Sequence, residues 1–156
     1  MTVRLIDPEQ TKEIVRLQKL AFSRESDVWN ENMLLSAFKN GNFFVLGAVE
    51  EEKTAACVMY SVAADTADIE IVATSPEFRR KGVATGLIME AERRLAKMGV
   101  GKIFLETGIG NAPAIALYAK CGYERISVRK KYYKDGEDAV VMAKTLNLSR
   151  RQSSPD

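Results

Sequence analysis

Residues 68–99 read DIEIVAT, then SPEFRRKG, then VATGLIMEAERRLAKMG. The first four alternate polar and apolar, the period of a strand with one face buried. Ala84, Leu87, Ile88, Ala91 and Leu95 then recur at helical spacing, and Gly99 closes the run. A strand that gives way within a few residues to a long amphipathic helix has to bury that helix against its sheet. This confines the chain to mixed α/β architectures.

The remaining segments fit such a frame. TVRLI (2–6) reads as a short strand. Asp7-Pro8-Glu9-Gln10 reads as a helix start, with an Asp N-cap, Pro at the first helical position and Gln at N3. Ile14, Leu17 and Leu20 carry that helix to about Ser23. A polar loop with the single Trp precedes a second helix, ENMLLSAFKN, stopped by Gly41. NFFVLGAVE and TAACVMYSVA are strands turned by EEK (51–53), and KIFLET (102–107) is another. NAPAIALYAKCG (111–122) is a helix capped by Asn111, with Pro113 in its first turn and Gly122 at C′. YERISVRKKYY and EDAVVMAKTL form a last hairpin across KDGE. The expected order is β-α-α-β-β-β-α-β-α-β-β, a mixed sheet with helices on both faces. One domain is expected over residues 1–146, with 147–156 a polar, disordered tail.

Composition removes several function classes. A formal net charge of +2 over 156 residues is too small to make nucleic acid the main partner. The chain has no histidine, so Ser-His-Asp and Cys-His catalysis and histidine metal sites are excluded. No metal is expected. Cys57 and Cys121 lie in apolar surroundings without C-x-x-C spacing and read as buried thiols in a reducing compartment. Neither a leader nor a membrane-length apolar run is seen, so no membrane partner and a cytoplasmic location are expected.

Arg79-x-x-Gly82-x-Ala84 stands where the long helix begins. Free N–H groups and the positive end of the helix dipole suit a phosphate there. Neither G-x-x-x-x-G-K-[ST] nor G-x-G-x-x-G occurs, which argues against a Walker NTPase or a dinucleotide fold.

SPEFRRKGVATGLI resembles the [Q/R]-x-x-G-x-[G/A] acetyl-CoA loop of the GNAT N-acetyltransferase superfamily. FLET…NAPAIALYAKCGYE resembles the LE…N..A..LY...GF region of the same superfamily. VRKKYYKDGEDAVVMAKTL is similar to the ending of the ribosomal-protein alanine and archaeal N-terminal protein acetyltransferases. AFSRESDVWNENML is weakly similar to their F..PWS...F loop.

The resemblance implies a mostly antiparallel sheet and direct acetyl transfer from acetyl-CoA to an amine. It places the pyrophosphate on the amides of Arg79, Arg80, Lys81, Gly82, Val83 and Ala84. The pantetheine arm would pair with Val72, Ala73 and Thr74, and Asn111 would meet it from the other side. Glu106 and Tyr118, twelve residues apart, match the family's base and acid. Asp68 and Glu70, on the preceding strand, stay open as alternative bases. A phenol near pKa 10 would protonate a thiolate near 8.5 uphill by about 2 kcal/mol, so Tyr118 is expected to stabilise the leaving sulfur chiefly by hydrogen bonding. Tyr132 and Tyr133 match a tyrosine-bearing hairpin that covers the acceptor, with Phe22 and Trp29 as the opposite wall. Arg125, Arg129, Lys130, Lys131 and Lys134 read as a basic strand.

The family's LEVRxSN is LETGIGN here, with Gly108 for Arg and Gly110 for Ser, which predicts a more flexible loop carrying one charge fewer. The acceptor implied is a protein N-terminus. A small amine (polyamine, amino acid or aminoglycoside) and a non-catalytic acyl-CoA-binding module remain alternatives. A monomer or homodimer is expected.

Overall fold

The structure, a computed structural model, describes residues 1–146, so the expected tail at 147–156 lies outside the described residues. The strands are β1 (Thr2–Leu5), β2 (Phe43–Glu50), β3 (Lys53–Ala63), β4 (Thr66–Thr74), β5 (Lys102–Gly108), β6 (Glu124–Arg129) and β7 (Ala139–Thr145). The helices are α1 (Thr11–Ala21), α2 (Glu31–Lys39), α3 (Val83–Lys97) and α4 (Ala112–Lys120). Their order is the one read from the sequence. The sheet has seven strands in the order β1-β2-β3-β4-β5-β7-β6. β4 and β5 run parallel, whereas β1–β2, β2–β3, β5–β7 and β6–β7 are antiparallel.

The chain divides into two compact units. The first comprises Met1–Ser61 and Glu70–Ala91, and the second Val62–Ile69 and the described residues from Glu92 on. In the first unit Ile14 and Leu17 of α1 and Leu34 of α2 are buried with Val45, Val49, Cys57, Met59, Ile71 and Ala73 of the strands. Burial of this kind, at ~25 cal/mol per Å² of apolar surface, is the main force holding the helices to the sheet.

Polar staples fix the register of that packing. Glu13 accepts from Arg16 Nε at 2.6 Å and from the Thr54 N–H at 2.6 Å, which ties α1 to the start of β3. The buried Gln18 amide accepts from the Trp29 N–H at 2.8 Å and donates to the Trp29 carbonyl at 3.0 Å. Gln10, the expected N3 residue, accepts from the Asp7 N–H at 3.4 Å; a short 3-10 turn over Pro8–Gln10 leads into α1. The β2–β3 turn places both Glu51 (φ 49°) and Glu52 (φ 69°) in the left-handed region, as a two-residue type I′ turn requires.

In the second unit Ile103 and Leu105 of β5 and Val140 and Met142 of β7 are buried, as are Leu95 and Val100 at the end of α3. A polar knot sits beside them. Lys144 donates to Glu92 at 2.8 Å and to the Cys121 carbonyl at 2.8 Å, and the Tyr123 hydroxyl donates to Glu92 at 2.9 Å. It fastens the C-terminal end of α4 to α3 and β7. Gly122, at φ 95°, makes the left-handed exit from α4 that the sequence predicts.

The last hairpin is shorter than its alternation suggested. β6 stops at Arg129 and β7 starts at Ala139, so the connection is a nine-residue loop and not a turn across KDGE. Lys131 at φ 52° breaks the extended run, and its N–H donates to Asp138 Oδ1 at 2.8 Å. Tyr132, Tyr133, Lys130, Lys131 and Lys134 therefore lie on the loop. Of the expected basic strand only Arg125 and Arg129 are on β6.

Candidate active site

In the first unit the segment between β4 and α3 forms a 3-10 turn over Pro76–Phe78 and then two left-handed residues, Arg80 (φ 62°) and Gly82 (φ 77°). A Cβ added to Gly82 would meet nothing within 4 Å, so its backbone angle, and not crowding by protein, is what calls for glycine. The Gly86 N–H donates to the Gly82 carbonyl at 3.0 Å. The N–H groups of Val83, Ala84 and Thr85 precede that bond and are the orphan donors of a helix start.

Two of the loop's three basic side chains are otherwise engaged. Arg79 Nη2 donates to the Ala21 carbonyl at 2.7 Å, and Lys81 Nζ lies 5.5 Å from the centre of the Phe78 ring. The amides are thus the natural anion cradle, and Arg79 is an anchor of the loop.

Val72, Ala73 and Thr74 end β4. The parallel ladder with β5 runs from Thr66–Lys102 to Ile69–Leu105, and these three residues lie beyond it. Backbone groups outside a ladder need partners, and an amide-bearing arm such as pantetheine fits that need. Glu70 accepts from the Ser61 hydroxyl at 2.7 Å. Trp29 stacks on Phe43 with ring centres 5.6 Å apart, and both Trp29 and Phe22 pack partly buried against the core.

The second unit holds Glu106 and Tyr118. Asp68, Phe104 and Glu106 project from one face, because Asp68 is directly opposite Phe104 in the ladder and Glu106 is two residues on. Arg129 Nε lies 3.4 Å from Glu106 Oε1, and its guanidinium lies 5.2 Å from the centre of the Tyr132 ring. Burial first, and then the negative charge of Glu106, push the Asp68 carboxyl above its ordinary value.

Tyr118 is 8% exposed on α4. Burial, reinforced by Cys121 and Tyr133, pushes its phenol well above the usual range. It meets Tyr123 edge-on with ring centres 6.2 Å apart. Asn111 Oδ1 caps α4 by accepting from the Ala114 N–H at 3.2 Å, which leaves its amide NH₂ as a donor not used in the cap.

Three participants escaped the sequence reading. Arg129 was read only as part of a basic run, yet it sits on Glu106. Glu137 accepts from the Gly110 N–H at 3.1 Å, and Glu92 joins Lys144 and Tyr123 behind α4. Each partnership joins residues more than 20 positions apart, and no local pattern signals it. Among the described residues no group of three or more Cys, Asp or Glu is placed to hold a metal ion, and no helix is long and apolar enough to cross a membrane.

Comparison with known proteins agrees with this geometry. The [Ribosomal protein bS18]-alanine N-acetyltransferase of Escherichia coli K12 is 31% identical over 123 residues, covering 77% of this chain and 82% of that one. An N-alpha-acetyltransferase of Saccharolobus solfataricus is 46% identical over 77 residues, covering 48% of this chain. The match spans only 46% of that archaeal protein. The crystal structure of the ribosomal-protein-S18-alanine N-acetyltransferase from Escherichia coli superposes with a TM-score of 0.84 at 27% identity, covering 94% of each chain. Residues 10–123 match the acetyltransferase (GNAT) family, well over half of the sequence. The chain therefore belongs to the GNAT family of acetyl-CoA-dependent N-acetyltransferases.

Proposed function

We propose that this protein acetylates the α-amine of a protein N-terminus. The observation that carries the reading is the arrangement around Glu106. Its carboxylate shares a face with Asp68 and lies under Arg129, whose guanidinium also meets Tyr132 on the β6–β7 loop. An acceptor backbone lying beneath the tyrosines brings its terminal amine to that carboxylate. The relatives named as N-terminal acetyltransferases support the same acceptor class.

The chemistry suits that acceptor. An α-amine with pKa near 8 is about one-tenth neutral at pH 7, whereas a lysine amine is about 0.04% neutral. The acceptor gives its ammonium proton to Glu106, through water where Arg129 covers the carboxylate. Its nitrogen then attacks the thioester carbonyl, the N–C bond forms and the C–S bond breaks. The electron pair leaves on sulfur, where the Tyr118 hydroxyl donates a hydrogen bond, and the nitrogen gives up its second proton to the departing thiolate through solvent. The diphosphate of the coenzyme lies on the amides of Arg79–Ala84 and its arm along Val72–Thr74.

Thiol release from acetyl-CoA, measured with alanine-first peptides, internal-lysine peptides and free polyamines, tests this. Turnover is expected with the alanine-first peptides. Turnover with polyamines alone would assign the chain to small amines. Coenzyme binding without release for any acceptor would make it a binding module. Cys57 and Cys121 are both free thiols, consistent with action in a reducing compartment such as the cytoplasm.

A further inference from the structure

The replacement of LEVRxSN by LETGIGN has a physical partner elsewhere in the second unit. Neither Gly108 nor Gly110 has a positive φ, so neither is there for a left-handed backbone. They provide room. A Cβ built on Gly108 would collide with the Glu137 carboxylate, and one on Gly110 would come within 2.9 Å of Glu137 Oε2. The carboxylate occupies that space and accepts from the Gly110 N–H at 3.1 Å.

Glu137 also organises its own loop. Its carbonyl accepts from the Tyr133 N–H at 3.1 Å, and its N–H donates to Asp135 Oδ1 at 2.9 Å. The neighbouring Asp138 carbonyl accepts from the Ile109 N–H at 2.9 Å. One residue thus grips the turn that leads into α4 with its side chain and the tyrosine-bearing loop with its main chain.

We propose that Glu137 is a positioning residue for the acceptor: it latches the Tyr132–Tyr133 loop onto the Gly108–Gly110 turn, and the two glycines exist to admit it. This rests on the reading that the acceptor lies beneath those tyrosines. The loop proposed for the diphosphate, Arg79–Ala84, shares no residue with the latch.

Gly108→Ala is a sharp probe. The backbone angles at Gly108 suit alanine, and the clash is with the movable end of a side chain, so the carboxylate is expelled while the fold stands. Kinetics with an alanine-first peptide, for Gly108→Ala, Glu137→Ala, the double variant and Glu137→Gln, read the outcome. Amide hydrogen exchange over residues 108–138 is followed alongside. Gly108→Ala and Glu137→Ala are each expected to raise the peptide KM about tenfold, with the acetyl-CoA KM and the Tm unchanged. Both should speed exchange at Gly110 and Tyr133. The double variant should be no worse than either single one, because both remove the same contact. Glu137→Gln keeps an oxygen for the Gly110 N–H and should retain most of the wild-type KM. Additive effects in the double variant, an equal rise in the acetyl-CoA KM, or unchanged exchange would overturn the proposal. If the wild-type protein acetylates no peptide, the acceptor assignment fails separately, and exchange still decides whether the latch exists.

Discussion

Tyr118 is a phenol that its surroundings keep protonated. Burial dominates, with Cys121 and Tyr133 adding to it, and the shift is upward from 10.0. Handing its proton fully to a thiolate is therefore harder than for free tyrosine, and hydrogen bonding to the departing sulfur is its better role. Tyr118→Phe is expected to lower kcat about 100-fold, the scale for losing one donor to developing charge, while acetyl-CoA binding measured by calorimetry is unchanged. The wild-type pH–rate profile should also show no fall from phenol ionisation up to pH 10. The base is tested by pairing Glu106→Gln with Asp68→Asn. Loss of a positioned general base costs about 100-fold or more, so Glu106→Gln should be the slower variant. If Asp68→Asn is slower, the carboxyl that burial and Glu106 push upward is the base. The twelve-residue spacing of Glu106 and Tyr118 was legible in the chain because both sit on regular elements. Arg129 and Glu137 were not, because their partners lie 23 and 27 positions away and are met only when β6, β7 and the β5–α4 turn assemble.

At the scale of elements, apolar periodicity was enough to order the strands and helices, and caps such as Asn111 and Gly122 marked helix ends to within a residue or two. It failed at the final hairpin. RISVRKKYY keeps an extended appearance past Arg129, but a left-handed Lys131 and its bond to Asp138 end the ladder there. All six residues of β6 are exposed, so no buried face imposed a pattern that could reveal where pairing stops.

Two staples make predictions here. The Arg16 hydrogen bonds, aided by the Thr54 N–H and opposed by burial, hold Glu13 below its ordinary 4.5. A lowered carboxyl stabilises the fold above its unfolded pKa and stops doing so as the pH falls through the folded value. Glu13→Gln should therefore lower Tm at pH 7, and the gap to wild type should close as the solution is taken below pH 4.5 and through that lower value. Lys144→Met removes the cation that neutralises Glu92 and caps the Cys121 carbonyl. It should cost about 2 kcal/mol in urea unfolding, the scale for a hydrogen bond to a charged partner.

For the whole molecule, the order of elements was legible but the strand order was not, because the insertion of β7 between β5 and β6 is set by pairing across the fold and by no local pattern. What stayed hidden was which polar groups meet across the fold. Cys57 illustrates the difference. Its burial was legible from its apolar neighbours, whereas the push on its thiol to about 12 depends on complete enclosure by strands and helices distant in sequence. Arg79, set on the donor loop, reaches 58 residues back to grip the last carbonyl of α1 at Ala21. The segment that follows, from Phe22 to Trp29, is the wall assigned to the acceptor. On the proposed reading, donor and acceptor recruitment share this anchor, and the coenzyme is expected to seat before the peptide. A non-acetylatable peptide analogue should inhibit uncompetitively against acetyl-CoA in the wild type and noncompetitively in Arg79→Ala, where the two enter in either order.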